Sequence, residues 1–278
     1  FLLVKKPDRM ALRLQSCNRT MRTSVNRSST VHGCVAMALV AAVSAGCLDQ
    51  VSGERGANGH GDNKNGGVAT LAHPAVGRFG SLVSQCSGVL IAPTYVLSAA
   101  HCEGAAGIFV IEKADGTRIT RGATSLVANA NYVPDVKSSE NFQFDIMVVK
   151  LDEAIDDVEL MPLADANPAP ADLVEIIGYG DTAFGSLDSG IKRKKGVIVE
   201  SVDEHLIHVV PSSEGMTDAC HGDSGGAMLR LENDIIVQTG VISYVKKECD
   251  STHAVSVSSW RPWIASAIAL LAAHVEVE

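Results

Sequence analysis

From Val68 onward the chain breaks into apolar bursts of four to eight residues, each ended by Gly, Pro, Asn or Asp. Gly88-Val89-Leu90-Ile91, Tyr95-Val96-Leu97, Ile146-Met147-Val148-Val149, the run 173–177, Val197-Ile198-Val199 and Ile235-Ile236-Val237 are of this kind. Runs of this length bounded by turn formers read as strands. Helical character is clear only near the end, where Trp260-Arg261-Pro262 leads into an apolar run from Trp263 to Leu271. Pro262 is expected at the first turn there, because proline has no N–H to lose at that position. No apolar run reaches the roughly 18 residues that mark a membrane-spanning helix.

The segment before these bursts differs in composition. It carries nine of the 23 basic residues against four of the 32 acidic ones, so the body from Val68 is strongly acidic and repels nucleic acid. From Met21, a basic stretch (Arg22, Arg27, His32), an apolar run from Val35 to Val43 and then Ser44-Ala45-Gly46-Cys47 have the layout of a secretory signal. Residues 1–47 are therefore expected to lie outside the fold, as upstream segment and signal peptide. Val43-Ser44-Ala45 suits an ordinary signal peptidase, while Ala45-Gly46-Cys47 resembles the end of a bacterial lipoprotein box, and both readings stay open. The expected location is secreted or periplasmic, and a lipid anchor at Cys47 is the one membrane attachment considered. Residues 48–67, rich in Gly, Asn and small polar residues, read as a flexible linker or propeptide, and 68–278 as the folded domain.

Seven cysteines are present, of which Cys86, Cys102, Cys220 and Cys249 fall in the body. An even number behind an export signal implies disulfides. Spacing suggests Cys86 with Cys102 and Cys220 with Cys249, although four cysteines permit three pairings. Zinc is the competing reading, and no Cys-x-x-Cys pair supports it.

The most specific motif is Gly222-Asp223-Ser224-Gly225-Gly226, a serine among glycines that permit unusual backbone and let main-chain N–H groups approach a substrate. Two further pieces accompany it: Val96-Leu97-Ser98-Ala99-Ala100-His101-Cys102 and Phe144-Asp145-Ile146-Met147-Val148-Val149-Lys150-Leu151. Together they resemble the nucleophile loop, the histidine motif and the aspartate strand of the trypsin-like serine proteases, in the chain order His, Asp, Ser. Gly178-Tyr179-Gly180 and Ser258-Ser259-Trp260-Arg261-Pro262-Trp263-Ile264 add weaker matches, so the resemblance covers roughly residues 68–273.

The resemblance implies an all-β fold of two packed antiparallel six-stranded β-barrels (approximately 68–165 and 166–262) with a C-terminal α-helix. It implies a serine endopeptidase needing no metal or organic cofactor, with protein or peptide substrates and a protein inhibitor as partners. His101 takes the proton of Ser224 during attack on a carbonyl, and Asp145 orients His101. The N–H groups of Gly222 and Ser224 form the oxyanion hole. Ser243 backs Asp145, and Ser243, Tyr244 and Val245 line the substrate. Asp218, six residues before Ser224, stands at the floor of the primary specificity pocket and favours Arg or Lys before the scissile bond. The walls implied at Val245 and Thr252 are bulkier than the glycines of trypsins.

The family's activating segment, Ile-Val-Gly-Gly, is absent; Lys64-Asn65-Gly66-Gly67 has only its glycines. The resemblance therefore leaves open what partner Asp223 finds. Two other readings use the same scaffold: a binding protein that never orders its oxyanion hole, and an esterase working through the same three side chains. His221 and His253 have no assigned role, and Lys192-Arg193-Lys194-Lys195 is expected as a solvated strand edge.

Overall fold

A computed structural model describes residues 67–80, 85–211, 219–245, 249 and 251–273. The apolar bursts become strands because each can be covered by neighbours on a closed sheet. After a two-residue strand β1 (Val68–Ala69), six strands follow: β2 (Val76–Gly80), β3 (Gln85–Ala92), β4 (Tyr95–Ser98), β5 (Ile108–Glu112), β6 (Arg118–Ala128) and β7 (Met147–Leu151). They close into an antiparallel barrel in the order β2-β3-β4-β7-β6-β5. Phe79 and Phe109, both fully buried with ring centroids 5.1 Å apart, help fill it. Gly88 sits against Phe79, where a Cβ would come within 2.7 Å of the ring, so no larger residue fits. Cys86 to Leu90 of β3 and Met147 to Val149 of β7 are buried without alternation, as strands covered on both faces must be.

The second six are β8 (Leu173–Gly178), β9 (Arg193–Val202), β10 (Leu206–Pro211), β11 (Ala227–Glu232), β12 (Ile235–Val245) and β13 (Thr252–Ser256). Their order, β9-β10-β13-β12-β11-β8, returns to β9 through the β8–β9 hairpin and closes a second ring. The expected two six-stranded antiparallel barrels are thus present. β1 pairs with β9, Val68 opposite Lys194, so the first described strand hydrogen-bonds to the second barrel.

A single helical turn, α1 (Ser139–Phe142), precedes β7, and α2 (Val257–Ala273) ends the described chain. α2 begins five residues before Pro262, earlier than the proline signal indicates. The Ser256 hydroxyl accepts the N–H of Ser259 at 3.2 Å, a serine cap that sets the start, and Pro262 lies inside the helix. Ile264, Ala267 and Leu271 of α2 join the apolar cluster that fills the first barrel and extends to residues of the second, and Lys150 Nζ donates to the Leu271 carbonyl at 3.0 Å, where a cation meets free carbonyls near the helix end.

The disulfides are Cys86–Cys102 and Cys220–Cys249, the pairing that spacing suggested. Their sulfurs are therefore not thiolates, which leaves the zinc reading without ligands at these four positions.

The basic run on β9 is not the solvated edge expected of it. Lys192, just before β9, and Lys195 within it are buried, and Lys192 Nζ donates to the His73 carbonyl at 3.2 Å. Arg193 and Lys194 are half-buried, and Lys194 pairs with Glu175 at 3.6 Å. A strand shared by β1, β8 and β10 has no free edge in this stretch, so four cations in sequence are held against the barrel.

Two predictions follow from this packing. Reduction of both bridges should lower the melting temperature, since one native bridge in a small secreted domain contributes about 2–5 kcal/mol and each degree of loop freedom regained counts against the fold. An unchanged thermal transition under reductant contradicts their structural role. Burial lowers the Lys192 pKa to about 8 from 10.5, opposed by Glu112. Between those values the unfolded chain holds a proton that the native chain has lost, so this group makes stability rise with pH across that window. The stability of the wild type relative to Lys192→Met should therefore increase between pH 8 and pH 10, measured by urea unfolding, and a flat difference contradicts the burial.

Candidate active site

The site lies where the loops of the two barrels meet. His101 belongs to a 3-10 turn, Ala100–Ala105, directly after β4. The short α1 turn and the bond from Asp145 N–H to the Phe142 carbonyl, 3.0 Å, set Asp145 just ahead of β7. Since β4 and β7 pair, Ser98 opposite Met147, the strand register brings the histidine and the aspartate together.

Asp145 is only 1% exposed, and three donors face its carboxylate. His101 N–H donates to Oδ1 at 2.8 Å, His101 Nδ1 lies 2.7 Å from Oδ2, and Ser243 Oγ donates to Oδ2 at 2.5 Å. A carboxylate only accepts, so it holds the proton on Nδ1 and leaves Nε2 as the basic nitrogen of a neutral ring. A buried carboxylate stripped of such donors would be costly.

Ser224 is placed through its own backbone. Its carbonyl accepts Ser87 N–H at 2.7 Å, and the N–H of Gly225 donates to the Ile242 carbonyl at 2.7 Å. The Cys86–Cys102 bridge lies between the two halves of the site. Cys102 Sγ is 3.7 Å from the Ser224 carbonyl, and a ring nitrogen of His101 is within 4.8 Å of both sulfurs. Gly222 and Gly225 have φ of 97° and 78°, in the region that suits glycine, which explains the glycines of the motif. The Gly222 carbonyl is turned away to accept Ser87 Oγ at 2.9 Å. Among the described residues, no protein acceptor takes the N–H of Gly222 or of Ser224, so both remain available to a ligand.

Asp223 has a partner set that sequence reasoning missed. Its Oδ1 accepts Gly180 N–H at 2.7 Å and its Oδ2 accepts Cys220 N–H at 2.9 Å. Burial raises its pKa to about 6, opposed by those two bonds and by the charge of Arg193. Ser87 was also missed. It donates from both N–H and Oγ into the 222–224 loop, and its Oγ accepts Tyr179 N–H at 3.0 Å. Its only sequence signal was its place beside Cys86.

Along β12, Ser243, Tyr244 and Val245 occupy the strand expected to meet substrate, and Tyr244 stacks on Phe142 at 4.4 Å with nearly parallel rings. Val245 is directly opposite Thr252 on β13, and Thr252, fully buried, accepts Ala219 N–H on Oγ1 at 3.2 Å. Asp218 lies outside the described residues, as do Cys47 and Lys64 to Gly66. His221 is exposed and stands beside Phe184, ring centroids 5.6 Å apart, while His253 packs edge-on to His208.

Two closed antiparallel barrels with a serine loop, a histidine turn and a buried aspartate at their junction define the chymotrypsin type of protein. The sequence model of the family described as Trypsin matches residues 66–264. A trypsin of Saccharopolyspora erythraea is 30% identical over 174 residues, 57% of this chain and 74% of that one. A chymotrypsin of Phaedon cochleariae is 28% identical over 203 residues, 64% and 70% of the two chains. The solved structure of human heparin binding protein superposes with a TM-score of 0.62 at 21% identity, over 73% of this chain and 96% of that one, a likeness of fold. The chain belongs to the trypsin family and is a serine endopeptidase.

The cradle around Asp223 leaves no room at Gly180, where a Cβ would come 2.5 Å from the carboxylate and 2.7 Å from the Asp223 N–H. Gly180→Ala should therefore cost about 1–3 kcal/mol, the usual range for overpacking, and reduce turnover at the same time. Unfolding by urea together with a peptide assay checks this; an unchanged midpoint and rate contradict the cradle.

Proposed function

We propose that the chain cleaves peptide bonds through His101, Asp145 and Ser224 by way of an acyl-enzyme. Ser224 Oγ attacks the carbonyl carbon while His101 Nε2 takes its proton and then gives it to the leaving amine. Asp145 fixes the ring and stabilises its charged form, with Ser243 Oγ holding the same carboxylate oxygen. The N–H groups of Gly222 and Ser224 take the oxyanion, where one donor is worth on the order of 10²–10³ in kcat. A water repeats the sequence to release the acid. The observation that carries this reading is the 2.7 Å contact of His101 Nδ1 with a buried, twice further hydrogen-bonded Asp145, which leaves Nε2 as the base.

For the residue before the scissile bond the reading is Arg or Lys, drawn by Asp218. The register of Val245 opposite Thr252 favours a second reading, a small apolar residue, because two non-glycine side chains face each other where a long cation would have to pass. Two buried disulfides fit a chain that works after export, as the segment 21–47 suggests, and Cys47 is the place a lipid anchor would take.

The test compares residues 48–278 with and without Ser224→Ala on peptides carrying Arg, Lys, Ala, Val or Phe before the cleavage point. Cleavage and labelling by a serine-directed phosphonate should both vanish in the variant. Arg and Lys peptides cut at least tenfold faster than Ala and Val peptides are the expected order, and the reverse order selects the narrowed pocket. Ester turnover without peptide turnover selects the esterase, and no labelling of either protein overturns the nucleophile assignment.

A further inference from the structure

The 220–223 segment, which presents the Gly222 N–H, is held from one side by the loop that follows β8. Gly180 N–H donates to Asp223 Oδ1 at 2.7 Å, and Asp181 N–H donates to the His221 carbonyl at 2.8 Å. That loop is in turn gathered on one carboxylate. Asp188 accepts the N–H and hydroxyl of Thr182 at 2.8 and 2.9 Å and the hydroxyl of Ser186 at 2.6 Å. Desolvation works against its ionisation, yet these bonds and Arg193 outweigh it and bring its pKa down to about 2.

Arg193 joins both layers. Its guanidinium donates to the Gly180 carbonyl at 3.1 Å, to the Asp188 carbonyl at 3.2 and 3.3 Å and to the Asp188 carboxylate at 3.3 Å. The side chain is only 14% exposed. Gly180 is thus gripped by its C=O from Arg193 while its N–H grips Asp223, and only the Gly180 α-carbon lies between the two peptide groups. A cleft remains beside Asp223, lined by Gly180, Asp181, Arg193, Lys194, Lys195 and Ile242, and its free volume of about 20 Å³ takes a water or two and no side chain.

We propose that Arg193 is a positioning residue for the oxyanion hole, and that through Gly180 and Asp223 it keeps the Gly222 and Ser224 N–H groups in place in the intact chain, with no cleavage ahead of Val68. This deepens the protease reading above and rests on it. A planar guanidinium reaches two carbonyls and a carboxylate from two nitrogens held in a rigid fork, whereas an ammonium offers three rotatable donors on a single atom, so the geometry favours arginine. The basic run that the sequence presents as surface charge then has a function in the site.

The test uses the full chain, its uncleaved state verified by intact mass, as wild type, Arg193→Gln and Arg193→Lys. Readouts are kcat and KM on the preferred peptide ester, the rate of phosphonate labelling, and the melting temperature. The uncleaved wild type should turn over. Arg193→Gln should lose about 10²-fold in kcat and in labelling rate, the effect of one misplaced oxyanion donor, with KM within a few-fold. Arg193→Lys, which keeps the charge and the fold but not the fork, should recover part of the loss. Wild-type kcat in both variants overturns the proposal, and so does a wild type that gains activity only after proteolysis around residues 55–68, with Ser224 still labelled. If neither the intact nor the cleaved wild type is labelled, the nucleophile assignment itself has failed and takes this inference with it.

Discussion

The carboxylate of Asp145 is the point on which the arrangement turns. It is removed from water between the barrels, and an ionised group there is tolerated only with a full set of donors. Two of its donors, the N–H and Nδ1 of His101, come from the turn after β4, and the third, Ser243 Oγ, comes from β12 of the other barrel. The same atoms that fix the histidine ring therefore also fix how the first barrel meets the second. A shift between barrels would leave a buried charge short of a partner, so the alignment of the proposed triad and the packing are enforced by one interaction.

Ser87 gives the junction a second fastening. It lies on β3 of the first barrel, yet its N–H and hydroxyl both serve the serine loop of the second, and its Oγ also receives the N–H of Tyr179. The neighbouring Cys86–Cys102 bridge lies within 4.8 Å of a His101 ring nitrogen and 3.7 Å from the Ser224 carbonyl. The Ser224 loop is thus referenced to the first barrel, where His101 and Asp145 reside, and not only to its own strands. That explains how residues 123 positions apart in sequence can keep a fixed relation across a barrel boundary.

What the sequence made legible was local. The strands were visible as short apolar bursts, and the proposed triad was visible because His101, Asp145 and Ser224 each sit in a motif whose neighbours have their own structural duty: Cys102 for the bridge, Met147 to Val149 for β7, the glycines for positive φ. What it hid was determined by contacts distant in the chain. Pro262 advertised a helix start, but the Ser256 hydroxyl, bonded into the turn, placed it earlier. Lys192 to Lys195 looked like surface because charge in a short window says nothing about which strand will cover it. The partner set of Asp223 comes from main-chain N–H groups, which carry no residue signature at all.

The burial of that basic run argues for a role beyond stability. Cations withdrawn from water stabilise a fold less than apolar residues of the same volume would, so packing alone gives no reason to place four in a row. What a charged side chain supplies that a leucine cannot is direction. Lys192 points at the His73 carbonyl beside the β1 edge, Lys194 at Glu175 on β8, and Arg193 at the turn that holds Asp223. Lys192 and Arg193 fix their neighbouring segments relative to β9 by hydrogen bonds and Lys194 does so by an ion pair, and the turn held by Arg193 borders the loop that presents Ser224. In an otherwise acidic body, the placement of this run is better explained by the geometry it imposes on its neighbours than by the energy it contributes.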